Sequence, residues 1–226
     1  MSKVKILVEG PALTRSGYGV HARLVLEALQ QREDLFDVYV NPLRWGATGW
    51  LLDRTPILEW VHKRVESFQN LDEKQKSFDI QIHVGIPNEF ERKAPYAVCV
   101  TAGIEATKVS PSWIEKSYNI DKIVVPSNFS KWVFENTFFE GQNKQTNQKV
   151  RVGCGAPVEV VSYPVRLKDS TIELDLKDDF NFLCVAQWGI RKNFENTVKW
   201  FLDEFKDDEV GLVVKTNIAK NSTPDR

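Results

Sequence analysis

Phe182-Leu-Cys-Val-Ala-Gln-Trp-Gly-Ile-Arg-Lys-Asn193 carries an apolar strand into a turn with two adjacent cations, and a helical pattern begins directly behind it. Phe194, Val198, Phe201, Leu202 and Phe205 recur at helical spacing, and Asn193 stands where a cap belongs. Residues 210–215 form a second short apolar run. Strand, helix and strand within about 35 residues predict a right-handed crossover unit whose cationic turn lies at the carboxyl end of its first strand, the end where ligands bind. Arg191 and Lys192 add side-chain charge to a helix start whose unpaired amides already favour an anion. A solvated basic turn without a ligand accounts for the same residues.

Upstream, the same alternation repeats. Residues 4–8 read as a buried strand, and a loop rich in turn formers leads to a helix over 20–31. Further strands are expected at 38–40, 79–84, 96–100 and 122–125, with a helix at 57–68. Pro111 suits a first helical turn ahead of residues 113–118, and Pro126-Ser127-Asn128 announces a helix running to Thr137. Residues 140–148 read as an exposed polar loop and 158–161 as a last strand. Strands alternating with helices predict an α/β protein, a Rossmann-like parallel sheet with helices on both faces. The expected organisation is a first domain over 1–165, a linker over 166–179, and the beginning of a second Rossmann-like domain over 180–226. Two strands and one helix cannot bury a core of their own, so truncation within that second domain is expected.

Composition narrows the class. The 226 residues are 42% hydrophobic and 27% charged with a formal net charge of -1, enough for one large core or two smaller ones and without a general attraction to nucleic acid or membrane. No window suits a bilayer span and the amino terminus shows no signal-peptide core, so a cytoplasmic protein is expected. Cys99, Cys154 and Cys184 are scattered and read as reduced structural thiols. His21, His62 and His83 lack ligand spacing, and no metal is expected.

Between the first strand and helix lies Gly10-Pro-Ala-Leu-Thr-Arg-Ser-Gly-Tyr-Gly19. Glycines there permit positive φ and let backbone amides approach a ligand. The spacing is longer than the dinucleotide fingerprint, and Asn41 stands where that fingerprint needs an acid, which argues against a nicotinamide cofactor. Loop geometry with no ligand remains open.

Four stretches in order resemble the nucleotide-sugar glycosyltransferases of the two-Rossmann-domain (GT-B) architecture, group 1 or family 4. Ser16-Gly-Tyr-Gly19 with His21 and Arg23 resembles the family's glycine-rich loop, and Gly103-Ile-Glu105 through Pro111-Ser-Trp113 its segment of Glu, Pro and Trp. Val124-Val-Pro-Ser-Asn-Phe-Ser130 is similar to its valine-proline-serine stretch. Gln187-Trp188 with Arg191-Lys192-Asn193, then Glu204-Phe205 and Leu212-Val-Val-Lys-Thr216, resembles the opening of its donor domain. The resemblance implies sugar transfer from a nucleotide-diphospho-sugar to a carbohydrate or other hydroxyl acceptor, with retention and without metal or other cofactor. It implies that Arg191 and Lys192 grip the donor diphosphate while Gly17 and Gly19 face it across an interdomain cleft. Negative charge grows on the departing phosphate oxygens, so fixed cations and amides act most in the transition state. The family's carboxylate pair, seven residues apart, is expected beyond Arg226, which leaves the catalytic residues unassigned and predicts that the 226-residue chain is inactive alone.

On the acceptor side, His21 could bond an acceptor or phosphate, or simply cap or fill the core. Glu105 could meet an acceptor hydroxyl or be an exposed loop carboxylate. His83 reads as a buried, satisfied histidine. Trp45 and Trp50 offer faces for sugar stacking or for the core; Trp60, Trp132 and Trp200 are assigned to packing, and Trp113 and Trp188 suit either. Two other functions fit parts of the pattern. One is a non-catalytic binding or assembly protein, a homo-oligomer through the incomplete carboxyl-terminal unit. The other is a nucleotide-dependent epimerase, for which the first domain shows no persuasive set of carboxylates and histidines.

Overall fold

The computed structural model describes residues 3–46, 48–142, 146–165, 167 and 172–216, with Arg191 described by its backbone alone. The chain divides into two compact units: one holds Met1–Trp45 and Trp50–Pro164, the other Gly46–Gly49 and Val165–Arg226.

The first unit is built on β1 (Val4–Gly10), α1 (Gly17–Gln30), β2 (Phe36–Pro42), α2 (Pro56–Gln69), β3 (Ile80–Val84), β4 (Tyr96–Val100), α3 (Pro111–Ser117), β5 (Lys122–Val125), α4 (Asn128–Asn136), β6 (Phe139–Gln142), β7 (Lys149–Val152) and β8 (Val158–Val160). Six strands form one sheet in the order β2-β1-β3-β4-β5-β8, and every pairing in it is parallel. The fold is thus α/β and Rossmann-like. Period-two alternation sorts the strand residues onto two faces. Val8, Val40, Val84 and Val100 pack with Ala22 and Leu26 of α1 and Leu58 and Val61 of α2. Ala97, Cys99, Ile123 and Val125 pack on the other face with Ile114 of α3 and Phe134 of α4.

Helix ends follow from local chemistry. Thr55 caps α2 by accepting from the Leu58 N–H, with Pro56 in the first turn; Ser127 caps α4 by accepting from the Ser130 N–H. α1 begins at Gly17 rather than Val20, because the Ser16 hydroxyl takes the Gly19 N–H and draws both glycines into the first turn. Residues 140–148 are not simply a loop. β6 and β7 pair antiparallel from Phe139↔Val152 to Gln142↔Lys149, a small ribbon outside the main sheet, with residues 143–145 outside the described set.

The second unit contains β9 (Phe180–Val185), α5 (Phe194–Phe205) and β10 (Val210–Lys215), the two strands pairing parallel. One face of this pair is covered: the Phe182 ring meets Phe201 and Phe205 of α5 at 5.9 and 5.3 Å. The opposite face carries Leu183 and Val185, 70% and 62% exposed. Residues 217–226, the end of the stretch expected to begin a second Rossmann-like domain, lie outside the described residues. No helix among the described residues is long and apolar enough to cross a membrane.

Two packing expectations need correction. Trp60 is buried as expected, but Trp132 and Trp200 are 51% and 59% exposed. Helical spacing puts them on a helix without placing anything beside that face.

Candidate functional site

In the main sheet, β1 lies between β2 and β3, so the chain leaves it to one side first and returns on the other. Such a switch opens a crevice at the carboxyl ends of the two central strands, here the end of β1 and the Val84-Gly85 end of β3. The 11–16 loop and the amino end of α1 stand at this edge.

That loop is tightly tied. The Thr14 hydroxyl bonds the Pro11 carbonyl at 2.9 Å and the Ser16 hydroxyl at 2.8 Å, and Ser16 accepts from the Gly19 N–H at 2.9 Å. Arg23 Nη1 donates to the Ala12 and Thr14 carbonyls at 2.7 and 3.1 Å, so its charge is used in holding the loop. The glycines act differently from the expectation of positive φ, since neither Gly17 nor Gly19 adopts it. Gly19 is required by crowding: a Cβ there would stand 2.3 Å from the Thr14 carbonyl oxygen. A Cβ on Gly17 would meet nothing within 4 Å. The N–H groups of Gly17 and Tyr18 find no acceptor among the described residues, whereas that of Gly19 is spent on Ser16.

Tyr18 links this opening to the neighbouring strands. Its hydroxyl meets Thr101 Oγ1 at 2.9 Å and accepts from the Ala102 N–H, burial raises its pKa, and its ring lies 4.4 Å from that of Trp45. Trp45 is half-buried against Tyr18, so part of one ring face is already covered. Glu105 is exposed in the turn after β4. His21 is buried on α1, 7% exposed, with its ring 6.4 Å from that of Tyr18 and Nδ1 3.3 Å from the Tyr163 hydroxyl. Burial lowers its pKa to about 4, so the ring is neutral and offers no charge to a phosphate.

Below the crevice lies a buried polar network that the sequence did not announce. Glu9, 3% exposed, accepts from Asn41 Nδ2, Gln81 Nε2 and Lys93 Nζ, each at 2.7 Å. Asn41 thus serves the fold where a dinucleotide site would hold a ribose. His83, 2% exposed, is buried as expected but not fully satisfied: its Nε2 has no partner, and burial lowers its pKa.

In the second unit, β9 leads through a 3-10 turn, Ile190–Lys192, into α5. Asn193 holds the capping position but does not cap with its side chain. It adopts the left-handed conformation, φ 50°, and its Oδ1 accepts from Asn196 Nδ2 instead. The Phe194 and Asn196 N–H groups have no acceptor among the described residues. Beside them is a cavity of about 260 Å³ lined by Trp188, Gly189, Ile190 and Asn193. Lys192 is exposed at this turn. Glu195 lines the same cavity, and its carboxylate already complements the helix start and opposes a second negative charge there. Among the described residues no group of three or more His, Cys, Asp or Glu side chains could hold a metal ion.

No family model, curated protein or solved structure matches the chain.

Proposed function

We propose that the chain is the acceptor-side domain and the opening of the donor domain of a nucleotide-sugar glycosyltransferase. The observation that carries the reading is the strand-to-helix opening of the second unit. There the unpaired Phe194 and Asn196 N–H groups border a cavity, and the turn that leads into the helix carries an exposed Lys192, with Arg191 next to it in sequence. Such an opening suits the diphosphate of a leaving nucleotide. The Gly17 and Tyr18 amides at the crevice of the first unit are a second anion-favouring opening. In the reaction, the bond from the anomeric carbon to the phosphate oxygen breaks and a bond to the acceptor hydroxyl oxygen forms, with retention. The acceptor proton leaves with the phosphate, and Arg191, Lys192 and the amides stabilise the charge gathering there.

Titration calorimetry with UDP, GDP and ADP in turn, against the 226-residue chain, tests this. One of the three should bind saturably, and the double variant Arg191→Ala, Lys192→Ala should bind it roughly tenfold more weakly or worse. No binding by any of them, or binding indifferent to the double variant, removes the reading.

The bare Leu183 and Val185 face favours a second reading, assembly through the second unit. Sedimentation of Leu183→Lys beside the parent chain decides it: a parent dimer that dissociates in the variant supports assembly.

A further inference from the structure

α1 and α2 cover the β2-β1-β3 part of one sheet face, and no further helix of the first unit, among the described residues, continues that layer over β4 and β5. A trough of about 440 Å³ remains there. Leu24, Val25, Ala28 and Leu29 of α1 form one wall, and Val100 and Val124 lie against it from the sheet. Its volume falls within the range of small-molecule sites. The lining contains no Asp, Glu, Lys or Arg.

The trough has two unlike ends. At the start of α1, His21 and Tyr163 stand edge to face with centroids 4.7 Å apart and Nδ1 3.3 Å from the hydroxyl. Burial depresses the His21 pKa and raises that of Tyr163, so both are uncharged near neutral pH. From His21 to Leu29 the helix advances about 12 Å, and the wall along that length is apolar. A charged ligand would lose its hydration with no opposite charge to meet it, whereas a neutral hydroxyl finds both a donor and an acceptor.

We propose that this trough binds a small neutral amphiphile, by chemistry an alkyl or aryl alcohol. Its hydroxyl meets His21 and Tyr163, and its apolar body lies along α1 as far as Leu29. The polar head and apolar wall at opposite ends select such a molecule over a uniformly apolar one. The site uses neither phosphate-favouring opening, so octanol binding and nucleotide binding are read separately.

The test titrates 1-octanol into the full 226-residue chain, followed by saturation-transfer NMR and thermal unfolding, with octanoate and octylamine as charged controls. Octanol should bind saturably and raise the unfolding midpoint, and the charged controls should bind roughly tenfold more weakly or worse. Ala28 sits on the exposed rim, so Ala28→Trp fills the trough without entering the core and should weaken octanol roughly tenfold. Tyr163→Phe keeps the ring, removes the hydroxyl and should weaken octanol severalfold. Non-saturable uptake, equal binding of octanoate, or indifference to Ala28→Trp overturns the proposal. So does self-association through the trough that octanol fails to reverse.

Discussion

The chain turns from strand into helix at the edge of each unit in opposite ways. At the first opening, Thr14, Ser16, Gly19 and Arg23 use their polar groups on one another, leaving the N–H groups of Gly17 and Tyr18. At the second, Asn193 is left-handed, no side chain caps α5, and a cavity lies against the turn. The first is closed by internal bonds that fix loop shape. The second leaves the Phe194 and Asn196 N–H groups without an acceptor among the described residues and Lys192 exposed. A helix start held open in this way is the better candidate for binding an anion, and the closed one for positioning what surrounds it.

The sharpest way to break this comparison is to add one methyl group to each turn. Gly19→Ala forces a Cβ against the backbone oxygens of Thr14 and Pro11, at 2.3 and 3.0 Å, which the tied loop cannot yield without losing its bonds. A loss of about 2–3 kcal/mol is expected in denaturant unfolding of the first unit. Gly189 has extended backbone, φ -171°, and nothing within 4 Å of an added Cβ, so Gly189→Ala should change stability by less than about 0.5 kcal/mol. Equal costs at the two positions would remove the distinction between a closed and an open turn.

Much of the frame was legible because parallel strands are short apolar runs bounded by turn formers, as in β4 and β5. The β6-β7 ribbon was not, since Glu140, Gln142 and Lys149 give a strand outside the core no apolar alternation to read. The candidate site was legible only where it is local. Ser16 and the glycines share one loop, but the Glu9 network joins residues 84 positions apart, and Tyr163 reaches His21 across 142. The exposed Trp132 and Trp200 show the same limit, since helical spacing reports a face and not what covers it.

The comparison sharpens with pH, because the first unit buries titratable rings and the second unit has no described histidine. Burial lowers the His21 pKa from 6.5 to about 4, and His83 moves in the same direction. The unfolded chain therefore takes up protons at higher pH than the folded one. The contribution of neutral His21 is fully present above pH 6.5 and disappears as pH falls from 6.5 through about 4. His21→Phe keeps a ring against Tyr163 and cannot titrate. Relative to that variant, the parent chain should lose about 1–2 kcal/mol between pH 7 and 4.5, allowing for solvent at the trough mouth. Parallel stability curves for the two would mean that His21 is protonated without penalty.

The smallest effect separates the two caps themselves. Ser16→Ala removes the acceptor for the Gly19 N–H and frees Thr14 Oγ1, so about 1 kcal/mol should be lost from the first unit. Asn193→Gly removes no cap bond and relieves a left-handed backbone, leaving only the exposed Asn196 contact to lose. Its change should stay within a few tenths of a kcal/mol. If Asn193→Gly instead cost as much as Ser16→Ala, the second helix start would be held by its own residues as firmly as the first. Its free amides would then be a by-product of packing and no longer an opening kept for an anion.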